Sequence, residues 1–159
     1  MAQDLCVKMD EGYLNIRVGA IIRRGGKLLM VANDELNYCY TVGGRIQFGE
    51  SAEEALRREL REETGYELEI EGLGFVHEDF FRGDLGIIKD KLVYEIGFHY
   101  FVKTPEDFAP RCDRSVEEGS EEHLAWIDPN TVRTIYPTFF RTELDKPRTG
   151  VRHFVTDER

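Results

Sequence analysis

Apolar and polar residues alternate in two different rhythms along the chain. The stretches "LNIRVGAIIR" and "KLLMVA" carry the dense, β-branched apolar content of strands, and Gly25-Gly26 between them predicts a tight hairpin. "YCYTV" reads as a further short strand, followed by a turn at Gly43-Gly44. Over 51–64 the rhythm becomes helical. Ser51 is a suitable N-cap, Glu54 three residues on completes a capping box, and Gly65 is a natural stop. Two long β-rich stretches follow, "ELEIEGLGFVHEDFF" and "KLVYEIGFHYFV", with a loop over 83–90 between them. "HLAWID" is expected to be the last core strand and "PNTVRTIYPTFFRTELDK" one or two short helices, while 151–159 reads as a tail of no assigned structure. Strands around one central helix, with more helix at the end, predict a single α/β (α+β) layered domain over 1–159.

The helix has an unusual wheel. At about 100° per residue, Ala52, Ala55 and Leu56 share one face with Leu60 at its edge. Glu59 falls near the middle of that same face, and Glu62 and Glu63 flank it. Glu53, Glu54, Arg57 and Arg61 lie opposite, as a solvated face requires. Three carboxylates therefore point where the first two turns pack. Their mutual repulsion and desolvation together cost several kcal/mol unless a cation sits among them. Oxygen donors without His or Cys select a hard ion, Mg²⁺ or Mn²⁺. The competing reading is a solvated Glu-rich helix, because wheel positions near a helix end carry little weight.

Composition narrows the partners. A chain of 159 residues supports one domain with a real core. Its formal net charge of −10 opposes broad contact with nucleic-acid backbone, which needs Lys and Arg to replace counterions. The same charge suits an anionic small molecule only if cations bridge it to the acids. Apolar runs fall far short of the roughly 20 residues of a membrane helix, and no basic start followed by an apolar stretch suggests a secretory signal. Cys6, Cys39 and Cys112 are odd in number and scattered, so a reduced, cytoplasmic setting is expected.

From Gly44 onward the chain reads G-x5-E-x7-R-E-U-x-E-E-x-G-U, where U is bulky and apolar or aromatic. Gly44, Glu50, Arg58, Glu59, Leu60, Glu62, Glu63, Gly65 and Tyr66 fill its fixed places. This pattern resembles the Nudix box of the Nudix (MutT-like) hydrolases. The resemblance implies an α/β/α sandwich with a mixed sheet and a central box helix. It also implies an enzyme that hydrolyses a pyrophosphate bond in a nucleoside diphosphate linked to another group, with Mg²⁺ or Mn²⁺ as cofactor. By that pattern Glu59 and Glu63 are the first metal ligands, Glu62 a third, and Gly44 offers its backbone carbonyl. Arg58, at helical i±4 spacing from Glu54 and Glu62, is expected to orient a carboxylate, and Glu50 precedes the helix in either a structural or a catalytic role.

Other assignments are less constrained. The general base in this family is a box glutamate or a downstream acid; Glu117, Glu118, Glu121 and Glu122 are the candidates, and Glu122 is the choice made from the sequence. Period-2 alternation sets Glu95, Gly97 and His99 on one strand face, either lining a substrate cleft or facing solvent. Arg17 could reach a phosphate or be a charge on an edge strand; Arg45 has similar standing. Tyr38, Tyr40, Phe80, Phe81 and Trp126 are base-stacking candidates, though strand aromatics more often fill cores. The proline that ADP-ribose pyrophosphatases carry soon after the box is missing, since none occurs between Tyr66 and Thr104. Nucleoside triphosphates, oxidised ones included, are the default expectation, with ADP-ribose or a nucleotide sugar next. A non-catalytic nucleotide sensor and an isomerase on the same fold are the rivals, and the complete set of box glutamates opposes both. The resemblance also allows a homodimer, with 151–154 as a packed or swapped tail.

Overall fold

The Gly25-Gly26 dipeptide closes the expected hairpin, both residues in the left-handed region at φ 58° and 78°. It joins two short partners, β3 (Arg23–Arg24) and β4 (Lys27–Asn33), with Arg24 opposite Lys27. The computed structural model describes residues 2–159 apart from Asp34, Glu118 and Val132. Its other strands are β1 (Cys6–Lys8), β2 (Tyr13–Ile21), β5 (Tyr38–Arg45), β6 (Glu69–Arg82), β7 (Leu92–Lys103), β8 (Glu122–Ile127), β9 (Thr134–Tyr136) and β10 (Arg152–Asp157). The helices are α1 (Ala52–Thr64) and the single turn α2 (Phe140–Glu143). The sheet runs β10-β6-β7-β2-β5-β4-β3, with β1 added to β2, β8 to β4 and β9 to β5. It is mixed: β2 lies parallel to β7 and antiparallel to β5.

Each sheet face buries its own core. Val18, Ala20 and Val42 pack against Ala55, Leu56 and Leu60 of α1 on one side. On the other, Ile21, Met30 and Phe75 pack against Phe139 and Phe140. Helix α1 holds its place by local signals at both ends. The Glu54 N–H donates to Ser51 Oγ at 3.2 Å, and the Ser51 N–H donates to Glu54 Oε2 at 2.8 Å. Gly65, at φ 77°, closes the other end by donating to the Arg61 carbonyl at 3.0 Å.

The structure corrects several expectations. Gly43-Gly44 is not a turn: β5 continues through both residues to Arg45, paired with Val18 and Gly19 of β2. The glycines are needed because a side chain at Gly43 would overlap the Val18 carbonyl. "HLAWID" forms β8 but is not the last strand. The following segment makes one short helix, the four-residue α2, as expected, and before it the unexpected strand β9. The tail has a definite structure. Residues Arg152–Asp157 add to β6 of the same chain as a parallel strand, secured by Phe154 stacked on Phe139 at 4.2 Å. The loop over 83–90 contains a 3-10 turn at Gly86–Ile88.

Candidate active site

The last two turns of α1 lie against the end of β5, and there the acids separate into two kinds. Glu59, with only 13% of its side chain exposed, turns inward beside Gly44. A methyl at Gly44 would stand 2.5 Å from the Glu59 carboxyl carbon, so only glycine leaves this cradle open. Glu63 also turns inward, and its carboxylate accepts a hydrogen bond from the Gly43 N–H at 3.2 Å. Glu62 does not join them. Its side chain is 58% exposed and it touches Arg58 at 3.6 Å, so the expected three buried acids are two. The wheel placed it at the stripe's flank, and the flank here is solvent.

Arg58 organises this corner. Its Nε and Nη2 grip both oxygens of Glu50, at 2.6 Å and 3.0 Å, while Nη1 reaches Glu59 at 2.7 Å and Nη2 donates to the Arg45 carbonyl at 3.1 Å. Glu54, offered by the spacing as a partner of Arg58, is occupied at the helix cap instead. Glu50 is a structural link: besides gripping Arg58 it accepts from the Gln47 N–H at 2.9 Å. The Arg58 fork holds its carboxyl below the ordinary range.

Electrostatics mark Glu59 and Glu63 as a deficient pair. Burial raises the Glu59 carboxyl, with Arg58 opposing and Glu62 adding to the rise. Burial first, then the Glu59 charge beside it, pushes Glu63 up to about 8. Two buried carboxylates side by side at an open glycine cradle fit a hard divalent ion, which tolerates one or two carboxylates completed by water and phosphate oxygens. Among the described residues no three ligating side chains converge on one point. Metal ligands must be deprotonated, so Mg²⁺ competes with the Glu63 proton. Adding millimolar Mg²⁺ is therefore expected to raise the melting temperature, and by more at pH 8.5 than at pH 6. A differential-scanning experiment showing no Mg²⁺ or Mn²⁺ effect at either pH would count against the ion.

A cleft of about 570 Å³ extends from these acids across the sheet face. Arg17, Arg45, Glu95 and Glu122 line it, as do Tyr38 and Tyr40. Arg17 is no edge charge: its strand β2 is flanked by β5 and β7, and its Nε is buried without a partner. Its guanidinium donates to the Thr41 carbonyl at 3.2 Å and lies 5.7 Å from the Tyr40 ring. Arg45 is oriented by Asn15, whose Oδ1 accepts from Nε at 2.9 Å; the same amide donates to Glu95 at 2.6 Å. Burial raises the Glu95 carboxyl against the pull of Arg17 and Asn15. Burial pushes the Tyr40 phenol up, and Glu122, facing its hydroxyl, adds to the rise.

Placement differs for other candidates. His99 is 3% exposed and lies under the cleft, wedged between Gly19 and Gly97, with Nδ1 unpartnered. Burial depresses its pKa well below the usual imidazole range. The alternation that pairs it with Glu95 holds for the face, but four residues farther along the strand that face is roofed by Phe140. Trp126 packs on Phe108 and Phe80 stacks on Tyr94, both outside the cleft, whereas Phe81 lines it. Glu117 lies at the rim and Glu121 is exposed, while Glu118 falls outside the described residues. Asn15, Asp79, Asp84, Tyr136 and Glu158 also line the cleft. Asn15 was legible as the polar residue sharing the Arg17 face two positions away; the others come from distant segments that carry no local signal.

Comparison with known proteins identifies the family and the fold. Residues 14–145 match the NUDIX domain, and the chain belongs to that family of hydrolases, which act on phosphorus-containing acid anhydrides. Solved structures sharing the fold include a mutator MutT protein from Bacillus halodurans, at 17% identity over 89% of this chain and 90% of that one, with a TM-score of 0.59. A MutT NUDIX hydrolase from Burkholderia pseudomallei matches at 21% identity over 84% and 98%, with a TM-score of 0.55. An ADP-ribose pyrophosphatase from Streptococcus suis matches at 15% identity over 87% and 98%, with a TM-score of 0.54. No curated protein matches the sequence.

Proposed function

We propose that the chain is a metal-dependent pyrophosphohydrolase of nucleoside triphosphates or related nucleoside diphosphate derivatives. The observation that carries this reading is the pair of buried carboxylates, Glu59 and Glu63, both raised by burial, at the Gly44 cradle on the wall of a cleft large enough for a nucleotide. Glu59 and Glu63 would hold Mg²⁺ or Mn²⁺, with the Gly44 carbonyl as a further donor; Glu62, turned to solvent beside Arg58, would join only by swinging inward. When bound, such an ion supplies charge neutralisation at the phosphoryl oxygens and lowers the pKa of water.

The chain's own residues do the rest. Arg17 and Arg45 hold phosphoryl oxygens in place, and Arg17 brings its unpaired Nε to that task. Water attacks phosphorus, the bridging P–O bond breaks, and the leaving phosphate takes the electron pair. Glu122 accepts the proton of the attacking water. Its carboxylate lies near enough to Glu63 to raise that group, whereas the exposed Glu121 does not line the cleft. Tyr38 and Tyr40 offer ring faces to a base. Three unpaired cysteines agree with a reducing, cytoplasmic setting.

The deciding experiment is product analysis across nucleoside triphosphates, an oxidised purine triphosphate, ADP-ribose and nucleotide sugars, with Mg²⁺ or Mn²⁺ and a chelator control. The expected result is chelator-sensitive release of pyrophosphate and a nucleoside monophosphate from triphosphates. Turnover confined to ADP-ribose would move the substrate to that class. Tight binding without turnover of any member would replace hydrolysis with sensing.

A further inference from the structure

The match to the family ends at residue 145, yet the chain's contribution to the cleft does not. Strand β10 pairs in parallel with β6 so that Thr156 stands opposite Asp79. The Thr156 hydroxyl donates to Asp79 Oδ1 at 2.5 Å while facing His77 Nε2 at 2.8 Å. One residue past the strand, the Glu158 N–H donates to the Phe80 carbonyl at 2.7 Å, and the Glu158 side chain enters the cleft beside Asp79. The Tyr136 ring lies close to both carboxylates and makes edge contact with Tyr38 at 5.4 Å. Asp79 and Glu158 therefore share their end of the cleft with two aromatic faces.

That end disfavours phosphate: Asp79, Asp84 and Glu158 line it against one cation among the described residues, Arg82. Asp79 stands on β6, three strand spacings across the sheet from β5, roughly 14 Å at about 4.8 Å per spacing, and it pairs with Glu95 and not with the His99–Gly19 row that holds Gly43. A nucleotide spanning the cleft must put its phosphates near Arg17 and Arg45, because like charge repels them from Asp79 and Glu158. The base is left to the carboxylate end. Carboxylates are acceptors only, so they favour a base edge rich in N–H groups and disfavour one rich in carbonyls.

We propose that β10 is a substrate-selecting strand: Thr156 fixes Asp79, and Asp79 with Glu158 selects nucleotides whose base presents amino and ring N–H donors together. This rests on the nucleotide reading above. Guanine, with both donors adjacent, is favoured; uracil, whose single N–H lies between two carbonyls, is not.

The test uses the full chain with Mg²⁺ and compares binding of GMP and UMP by calorimetry, since monophosphates have no anhydride bond and the readout is independent of turnover. Wild-type protein is expected to prefer GMP by about tenfold or more. Glu158→Gln, which keeps shape while adding a donor, and Thr156→Val, which releases Asp79, should each reduce the preference to about threefold or less. A purely structural role would weaken both ligands equally. Equal wild-type affinities, or a ratio unchanged in folded Glu158→Gln, would overturn the proposal. Should Thr156→Val not fold, Glu158→Gln decides alone, because among the described residues Glu158 is tied to β6 through its backbone N–H on the Phe80 carbonyl, which the substitution keeps. Failure of the hydrolase reading shows separately, as absence of chelator-sensitive hydrolysis with the binding ratio intact.

Discussion

Glu63→Gln is expected to lower metal-dependent turnover by about a hundredfold or more and, in the metal-free protein, to raise the melting temperature. Both effects have one cause. In the folded chain the Glu63 carboxyl is pushed up to about 8 by burial and by Glu59, so its charged form opposes folding at neutral pH. Glutamine has the same shape and still accepts from the Gly43 N–H, but it is neutral and a poor partner for a divalent ion. Loss of activity with gain of stability is the signature of a ligand held ready for an ion. Glu59→Gln should lose activity similarly without the same gain, because it also gives up the Arg58 contact at 2.7 Å. Turnover near wild type in the Glu63 variant would remove that residue from the reaction.

Arg58→Met should destabilise by about 2–4 kcal/mol, because it leaves two mostly buried carboxylates, Glu50 and Glu59, without their cation. For a domain of this size the melting temperature would fall by roughly 10 °C. Turnover should fall as well, since Glu59 loses the group that aims it and the Arg45 carbonyl loses its donor. Lysine should restore little, because one ammonium cannot reproduce a fork that grips both Glu50 oxygens. Thermal unfolding of the two variants checks this. A melting temperature unchanged in Arg58→Met would mean that the cluster is effectively solvated.

What was legible in the chain was local. The capping box, the Gly65 stop, the Gly25-Gly26 hairpin and the inward placing of Glu59 all depend on residues within a few positions of one another. The cleft's remaining walls are products of register. Arg17 admits both a phosphate role and an edge charge in the sequence, because nothing in β2 reveals that β5 and β7 will flank it. Gly43-Gly44 read as a turn because paired glycines usually are one, whereas here they let β5 pass close to Val18 and Glu59. The tail had too little periodicity to assign, and its pairing depends on β6, more than seventy residues earlier. His99 shows the opposite limit: the strand alternation was sound, but α2 covers only part of the face it describes.

The caps of α1 also fix its rotational phase. Glu59 and Glu63 are four residues apart, so they share one azimuth to within about 40°. A single residue inserted between Ser51 and Glu59 would turn the helix by about 100° about its own axis and aim both carboxylates away from Gly44. Because Ser51 and Gly65 clamp the two ends, the helix cannot rotate back to compensate without losing a cap. Length changes should therefore be excluded from the thirteen residues of α1, which sets the angle of both carboxylates as a ratchet sets its teeth.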